Sequence, residues 1–427
     1  MNKKRVVVTG MGVVSPNAVG LDNFETALRD GKSGIRFIPK LEELKFSCRI
    51  GGIPQNFEAA AEQWFSGPDL NYFTGNLGYA SVAALEAWRN AGLSLPEETN
   101  DPDWDAGTIF GCGICDMETI AGRVVPMISA GNVRRLGTQV IERVMGSGVS
   151  AVISGLLGLG NQATSNSSAC STGTEAVADA AQRIRAGLAR RMVAGGSEGY
   201  SPYTWGGFDA MRVLSRKFND DPEKGSRPMS ASAGGFVPGA GAGALVLEDL
   251  ETALARGARI YAEIAGAMVN CGGQRGGGTM TAPNPQGIIR CIRGAMADAG
   301  VHAADIDLVS GHLTATFADP SEVKSWSNAL QRGPDNFPHI NATKSMIGHC
   351  LGAAGAIETV AAILQLHGGF LHPSLNCEDV HPDIASFAHR IPRACMDDPA
   401  LETVAKASFG FGDVNSCLII RKWKKQP

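Results

Sequence analysis

Cys170 is the residue best placed to do chemistry. It sits in Asn166-Ser-Ser-Ala-Cys170-Ser-Thr-Gly-Thr174, directly before an expected helical run over Glu175–Ala186. A thiol at a helix N-terminus feels the positive end of the macrodipole and the free N–H groups of the first turn. Both stabilise thiolate, the nucleophilic form of sulfur. The neighbouring Ser, Thr and Gly keep the approach open and supply backbone donors for an oxyanion. A small buried Cys at a helix start would look the same, so the segment needs partners elsewhere in the chain.

All eight His residues lie beyond position 300. A site joining Cys170 to a His is therefore built between distant parts of the chain, and clefts between domains commonly hold small molecules. His312 lies in Ser310-Gly-His312-Leu-Thr314-Ala-Thr316, after an expected strand over Ile306–Val309, so it should project at a strand end. His349 lies in Asn341-Ala-Thr-Lys344-Ser-Met-Ile-Gly-His349-Cys-Leu-Gly, where Lys344 and His349 flank a glycine-rich helix entrance. A lone His is usually an ordinary core or surface residue. Two of them, at strand and helix ends in matching positions, are harder to dismiss. Ser408-Phe-Gly-Phe411-Gly-Asp-Val-Asn415 reads as a glycine-hinged aromatic turn between strands.

Other motifs carry less. Cys112-Gly-Ile-Cys115 has no second Cys or His pair nearby, so zinc is not expected, and the segment reads as strand and turn. Gly10-Met-Gly12 lacks the third glycine of a dinucleotide loop. Gly195-Gly-Ser197-Glu-Gly199 matches the nucleophile elbow of serine hydrolases and gives a rival reading with Ser197 as nucleophile. That reading leaves the Cys170 segment idle.

The elements that must position these residues follow from patterning. Arg5–Val14 and Ile260–Cys271 are β-rich runs. Residues 107–115 and 306–316 each read as strand then glycine turn. Residues 161–187 and 341–369 each begin with small polar residues and continue as long Ala-rich helices. Residues 191–199, 242–248 and 404–422 are further apolar strands. Strands alternating with helices imply an α/β fold with buried sheets. The order repeats once, so two similar halves are expected, 1–250 and 258–427, with extra helical material around 55–150.

Composition sets outer limits. At 427 residues, with 44% hydrophobic and 19% charged, the chain buries ample core. Its net charge of −4 gives no basic bias for nucleic acid. The apolar stretch after Met1–Arg5 is short and broken by Gly10 and Gly12, which suits a strand better than a signal peptide. No apolar run reaches about 18 residues, so no membrane span is expected. Ten scattered cysteines read as reduced thiols of a cytoplasmic protein.

Taken in order, the segments resemble the β-ketoacyl-acyl-carrier-protein synthases of the elongating types I and II. The set is VTGMGVVSP at 8–16, SACSTGT at 168–174, SRP at 226–228, GFVPGAGAG at 235–243, TAPNP at 281–285, the His312 segment, NATKSMIGHCLGAAGAIE at 341–358 and SFGFGDVN at 408–415. The resemblance runs from Val6 to Ile420. It implies a thiolase-like α/β fold, two similar halves in five αβαβα layers, and a homodimer. Cys170 would accept the acyl chain. His312 and His349 would drive decarboxylation of a malonyl thioester and stabilise the enolate. Lys344 and Glu358 would support that arrangement, with Glu358 and Phe409 grouped in the substrate-binding set. The backbone N–H groups of Cys170 and Phe411 would form the oxyanion hole, and Phe411 would gate entry. Thr314 and Thr316 would bind a phosphopantetheine arm that arrives on an acyl carrier protein, so no cofactor or metal of the enzyme's own is implied. Ile114 would border the acyl pocket.

The chemistry agrees with these roles. A Claisen condensation needs a thiolate to hold the acyl group and a way to expose a carbanion. Losing CO2 exposes it without a strong base, and two imidazoles can stabilise the enolate. The Cys-His-His set also separates this group from initiating synthases, which resemble Cys-His-Asn, and from thiolases, which use a second catalytic Cys. Cys417 lies inside a strand run, a poor place for a base. Partner subunits that set chain length in polyketide synthesis share the pattern but usually lack the nucleophilic Cys.

There are departures. Leu313 stands where the family usually has Gly. Ser230-Ala-Ser-Ala-Gly234 replaces a stretch that is normally charged, and Ala240 replaces a usual acid. The region 60–72 lacks a basic cluster, while Arg134, Arg135 and Arg212 match other basic, carrier-facing positions. These differences bear on the carrier and the acyl substrate rather than on the reaction.

Overall fold

The computed structural model describes residues 3–97, 99–114 and 116–424. Cys115, the second cysteine of the CxxC, lies outside them.

Ten strands make the path of one mixed sheet. The first five are β1 (Val6–Ser15), β2 (Ala106–Cys112), β3 (Ala163–Thr164), β4 (Arg191–Glu198) and β5 (Gly241–Asp249). The next five are β6 (Ala262–Cys271), β7 (Leu308–Ser310), β8 (His339–Asn341), β9 (Thr403–Gly410) and β10 (Val414–Lys422). Their order is β3-β2-β4-β5-β1-β6-β10-β9-β7-β8. A short extra strand, Ala18–Val19, pairs with the end of β1.

The pattern repeats strand for strand. β1–β5 and β4–β5 are antiparallel, while β2–β4 and β2–β3 are parallel. In the same way β6–β10 and β9–β10 are antiparallel, while β7–β9 and β7–β8 are parallel. The two sets join along β1 and β6, at Val7↔Glu263 and Val8↔Ala262. Gly10 and Gly12 fall inside β1, not in a phosphate loop.

Three long helices accompany each set: α1 (Gly75–Asn90), α2 (Gly148–Leu157) and α3 (Thr172–Arg185), then α4 (Pro285–Ala299), α5 (Asp319–Leu330) and α6 (Ala354–Gly368). α1 and α2 cover one outer face, and α4 and α5 the other. α3 and α6 pack on each other and on strands of both sets, which gives the five layers of a thiolase-like fold. The central layer explains why α6 is apolar all round: every residue from Ala354 to Leu366 is buried. Side chains such as Ile357, Ile363 and Leu366 each contribute about 1.5–3 kcal/mol by leaving water. Close contact of α3 with α6 needs a glycine. A Cβ on Gly173 would stand 2.5 Å from the Ala356 nitrogen. That approach sets the start of α3 beside the start of α6.

One sequence expectation changes here. The expected run over 341–369, small polar residues continuing as an Ala-rich helix, is interrupted near its start. Lys344–Ile347 forms one turn, and the α-helix resumes only at Ala354. Gly348, at φ +68, turns the chain out of the helix. The backbone of His349 then pairs with the first half, donating to Val237 O at 2.7 Å and accepting from Gly239 N–H at 2.9 Å. His349 therefore stands on an irregular segment held by both its N–H and its C=O to one stretch of the first half.

Candidate active site

Cys170 comes from a 3₁₀ turn, Ala169–Ser171, that leads into α3. His312 follows the end of β7 by two residues. His349 fills the break described above. The Cys170 sulfur and one ring nitrogen from each His lie within 4.8 Å of one another.

Three residues next to this trio adopt left-handed backbone without being glycine: Ala169 (φ 48), Leu313 (φ 24) and Leu351 (φ 48). Such conformations cost on the order of 1–3 kcal/mol each and persist where surrounding contacts over-determine them. Those contacts are visible. Ser168 N–H donates to Thr172 Oγ1 at 2.8 Å. Glu322, in the first turn of α5, accepts the His312 and Leu313 N–H groups at 2.6 and 2.8 Å. Asp319 accepts from Thr314 and Ala315 N–H at 2.9 and 3.0 Å. The Leu313 side chain is fully buried in the apolar cluster with Val309 and Trp326, so packing offsets the strain at this departure from Gly.

Hydrogen bonding fixes how the imidazoles present themselves. The Leu351 N–H points at His349 Nδ1, 3.2 Å away, so that nitrogen is an acceptor and the proton sits on Nε2. His349 Nε2 lies 3.1 Å from Cys170 Sγ and donates toward it. The Lys344 ammonium lies 3.2 Å from His312 Nδ1 and donates to His312 O at 2.6 Å. His312 Nδ1 is then an acceptor too, and its Nε2–H faces the cavity. Burial, reinforced by Lys344, holds both imidazoles well below the usual histidine range, so they are neutral donors at neutral pH.

Cys170 departs from the simplest expectation. Burial pushes its thiol up to about 11, against the pull of Lys344 and of a hydrogen bond from the Phe411 N–H. Desolvation by burial outweighs the helix terminus and the nearby lysine. With both His nitrogens committed as described, neither is a free base for the thiol. Lys344 and the Phe411 N–H favour thiolate and limit the upward shift without reversing it.

The Ser408–Asn415 segment is an antiparallel hairpin end, with Phe409 opposite Asn415. Gly410 is required there, because a Cβ would stand 2.8 Å from Ser168 O and 3.1 Å from Cys170 N. The glycine brings the Phe411 N–H beside the Cys170 turn. The cavity reached by Cys170, His312 and His349 has a volume of about 350 Å³. Phe208, Phe236, Phe409 and Phe411 wall it, and Thr314 and Thr316 line it with their hydroxyl oxygens 3.0 Å apart. Phe317, 84% exposed, also lines it.

Several expected residues stand elsewhere. Lys344 and Glu358 do not line the cavity; they are buried beneath it and ion-paired to each other. Ile114 borders a separate cavity of about 140 Å³ with Asn76, Asp116 and Arg143. Arg212 is exposed and precedes Val213, which lines the main cavity. Arg134 and Arg135 are exposed on a 3₁₀ turn that lines neither cavity. The uncharged Ser230–Gly234 stretch borrows charge from afar. Ser230 Oγ donates to Asp379 at 2.5 Å, and Arg227 holds Asp379 at 3.2 Å. Ala240 is fully buried in an apolar cluster.

Sequence reading missed Glu322, Glu198 and Lys406. Glu198 is buried and accepts from Gly113, Ile114 and Gly352 N–H groups at 3.1, 3.1 and 3.0 Å; burial lifts it to about 8. A carboxylate closing an apolar strand was the available signal. Ser197 lies inside β4, fully buried, not on a strand-to-helix elbow. Cys417 is buried in β10 with its thiol pushed up to about 12, which leaves it no role as a base. Among the described residues only Cys170, His312 and His349 form a set suited to a metal ion, and the two buried lysines beneath them oppose a cation.

A thiol, two neutral N–H donors and backbone donors around one apolar cavity, carried on a thiolase-like fold, define a condensing acyltransferase. Comparison with known proteins agrees. The profile for the Beta-ketoacyl synthase, N-terminal domain, matches residues 3–253, and that for the C-terminal domain matches 261–378. The chain is 36% identical over 426 residues to 3-oxoacyl-[acyl-carrier-protein] synthase I, chloroplastic, of Arabidopsis thaliana, covering 99% of this chain and 87% of that one. It is 34% identical over 423 residues to 3-oxoacyl-[acyl-carrier-protein] synthase 1 of Escherichia coli K12, covering 99% and 100%. A solved ketosynthase, described as in complex with a type II PKS acyl-carrier protein and bound to the hexaketide, superposes with a TM-score of 0.86 at 26% identity, covering 99% of this chain and 100% of that one. The chain belongs to the β-ketoacyl synthase family.

Proposed function

We propose that this enzyme joins an acyl chain on Cys170 to a malonyl-carrier thioester by decarboxylative Claisen condensation. The Cys170 sulfur attacks the acyl-carrier carbonyl, a new C–S bond forms, and the carrier thiol leaves with the proton. A malonyl-carrier then enters. Its C–C bond to the carboxylate breaks, CO2 departs, and the electron pair is held as an enolate by the Nε2–H groups of His312 and His349. The α-carbon attacks the acyl carbonyl, its oxyanion is met by the Cys170 and Phe411 N–H groups, and the C–S bond to Cys170 breaks, leaving a thiolate that regains its proton from solvent. A β-ketoacyl-carrier leaves. The observation that carries this reading is two neutral, donor-committed imidazoles beside one cysteine.

In this reading, Thr314 and Thr316 meet the phosphopantetheine arm, which the acyl carrier protein supplies, and the enzyme holds no cofactor of its own. Arg212, beside the cavity, is a candidate contact for the acidic carrier; Arg134 and Arg135 are more distant candidates. Ile114 borders a separate cavity, and its place beside the acyl chain rests on the family resemblance alone. Among the described residues no helix is long and apolar enough to cross a membrane, and a cytoplasmic location is part of the proposal. Mixing the enzyme with acyl-carrier and malonyl-carrier should give a β-ketoacyl-carrier, two carbons longer, with one CO2 per product by mass spectrometry and gas release. Release of CO2 without any extended carrier would contradict the proposal.

A homodimer is proposed with it. Val125, Ile128, Val133 and Ile141 are all more than half exposed on the helical insertion. β3 is an edge strand with open hydrogen-bonding groups, a ready template for another chain. Sedimentation at micromolar concentration should report about twice the 44.6 kDa chain mass. A fully active monomer would refute this part.

A further inference from the structure

β9 reads Thr403-Val-Ala-Lys406-Ala-Ser-Phe-Gly410, and all eight residues are buried. Lys406 is the one charge in it. A charge this deep is retained only when paired and hydrogen-bonded. The Lys406 ammonium donates to Thr174 Oγ1 at 2.8 Å, to Ala407 O at 3.0 Å and to Ser408 Oγ. It also lies 3.1 Å from Glu358 Oε2.

Glu358 is thus shared. Its Oε1 accepts a hydrogen bond from the Lys344 ammonium, and its Oε2 faces the Lys406 charge at 3.1 Å as an ion pair without a hydrogen bond. Lys344 is shared as well, since it donates to His312 O and faces His312 Nδ1 at 3.2 Å. A carboxylate with a single buried lysine draws that lysine to itself, because attraction is strong where the dielectric is low. A second ammonium on the other oxygen divides the charge and weakens that pull. One acid between two lysines also leaves a net positive charge below the place where an enolate would form.

We propose that Lys406 is a positioning residue for decarboxylation: it occupies one oxygen of Glu358 so that Lys344 stays on His312 Nδ1, which keeps the His312 Nε2–H aimed into the cavity. The inference rests on the condensing reading above and adds a residue to it. Lys406 touches no substrate. It acts through Glu358, Lys344 and His312, and its bond to Thr174 ties that chain to the helix that follows Cys170.

The test uses the full-length enzyme and two variants, Lys406→Met and the double variant Lys406→Met with Glu358→Gln. Two rates are read separately: acyl transfer to Cys170 by intact mass, and CO2 release from malonyl-carrier. Lys406→Met should keep acyl transfer within about threefold and lower CO2 release about tenfold or more, equivalent to about 1.4 kcal/mol of lost transition-state stabilisation. The double variant removes the unshared carboxylate as well, so Lys344 returns to His312 and CO2 release should recover most of that loss. A residue that merely fills β9 would depress both rates alike, and the second substitution would add to the damage. Equal loss of both rates, or a double variant whose CO2 release relative to acyl transfer is no better than that of the single, overturns the proposal. Should Lys406→Met fail to fold, Lys406→Gln, which keeps a donor toward Thr174 and Ser408 without the charge, is read in the same way: CO2 release lowered about tenfold relative to acyl transfer supports the role, and an equal change in both rates overturns it. Absence of CO2 release from the wild-type enzyme would instead overturn the parent reading, and this inference with it.

Discussion

Replacing His312 or His349 with Ala is expected to suppress CO2 release from malonyl-carrier by about a hundredfold to a thousandfold, the scale on which removal of one oxyanion donor acts. Acyl transfer to Cys170 should survive in part, because the sulfur attacks the first carrier before any enolate exists. The split follows from the geometry: each ring spends Nδ1 on a fixed donor and turns Nε2–H to the cavity. It also predicts a pH response. Both imidazoles are held well below the usual histidine value by burial and by Lys344, and the neutral donor is the form present above that lowered value. Decarboxylation should therefore stay level from pH 8 down through about 6.5, where an ordinary histidine would gain its proton. A stepwise loss centred near 6.5 would show that an imidazole is charging in the working range. Undiminished CO2 release in both variants would remove them from the mechanism.

Cys170→Ser should abolish both acyl-enzyme formation and condensation, a fall on the order of 10⁴-fold or more, as for removal of a catalytic nucleophile. The hydroxyl is a far weaker nucleophile, and the donors here stabilise an anion on sulfur without supplying a base to make an alkoxide. The buried thiol, pushed up to about 11, adds a consequence. Thiolate is the scarce form below that value, so the acyl-transfer rate should rise with pH across the neutral range while CO2 release stays level. Parallel pH curves for the two half-reactions would contradict this separation.

The repeat of the fold was legible because strands buried on both faces leave continuous apolar runs, as in Val6–Ser15 and Gly241–Asp249. The trio of Cys170, His312 and His349 was legible because each sits in a short polar, glycine-rich interruption between such runs. What the sequence hid depends on contacts across the two halves. The break at Gly348–Cys350 looks helical by composition and is set by pairing of His349 with Val237 and Gly239. Leu313 reads in sequence only as a departure at a usual glycine position, and the fold holds its side chain in a core made by helices α4 and α5. Glu322 and Lys406 carry no motif that marks them in the sequence. Only the folded chain puts them on His312 and Glu358. The helix-start argument for Cys170 counted the favourable dipole and not the desolvation, which is invisible until the cavity is closed.

The most direct measurement is the mass of the enzyme after exposure to an acyl-carrier, followed by peptide mapping of the adduct. One acyl group should be found per chain, on the peptide that contains Cys170, and malonyl-carrier should discharge it as an extended product. An adduct on another cysteine, or an enzyme that extends the carrier while Cys170 remains unmodified, would contradict the account.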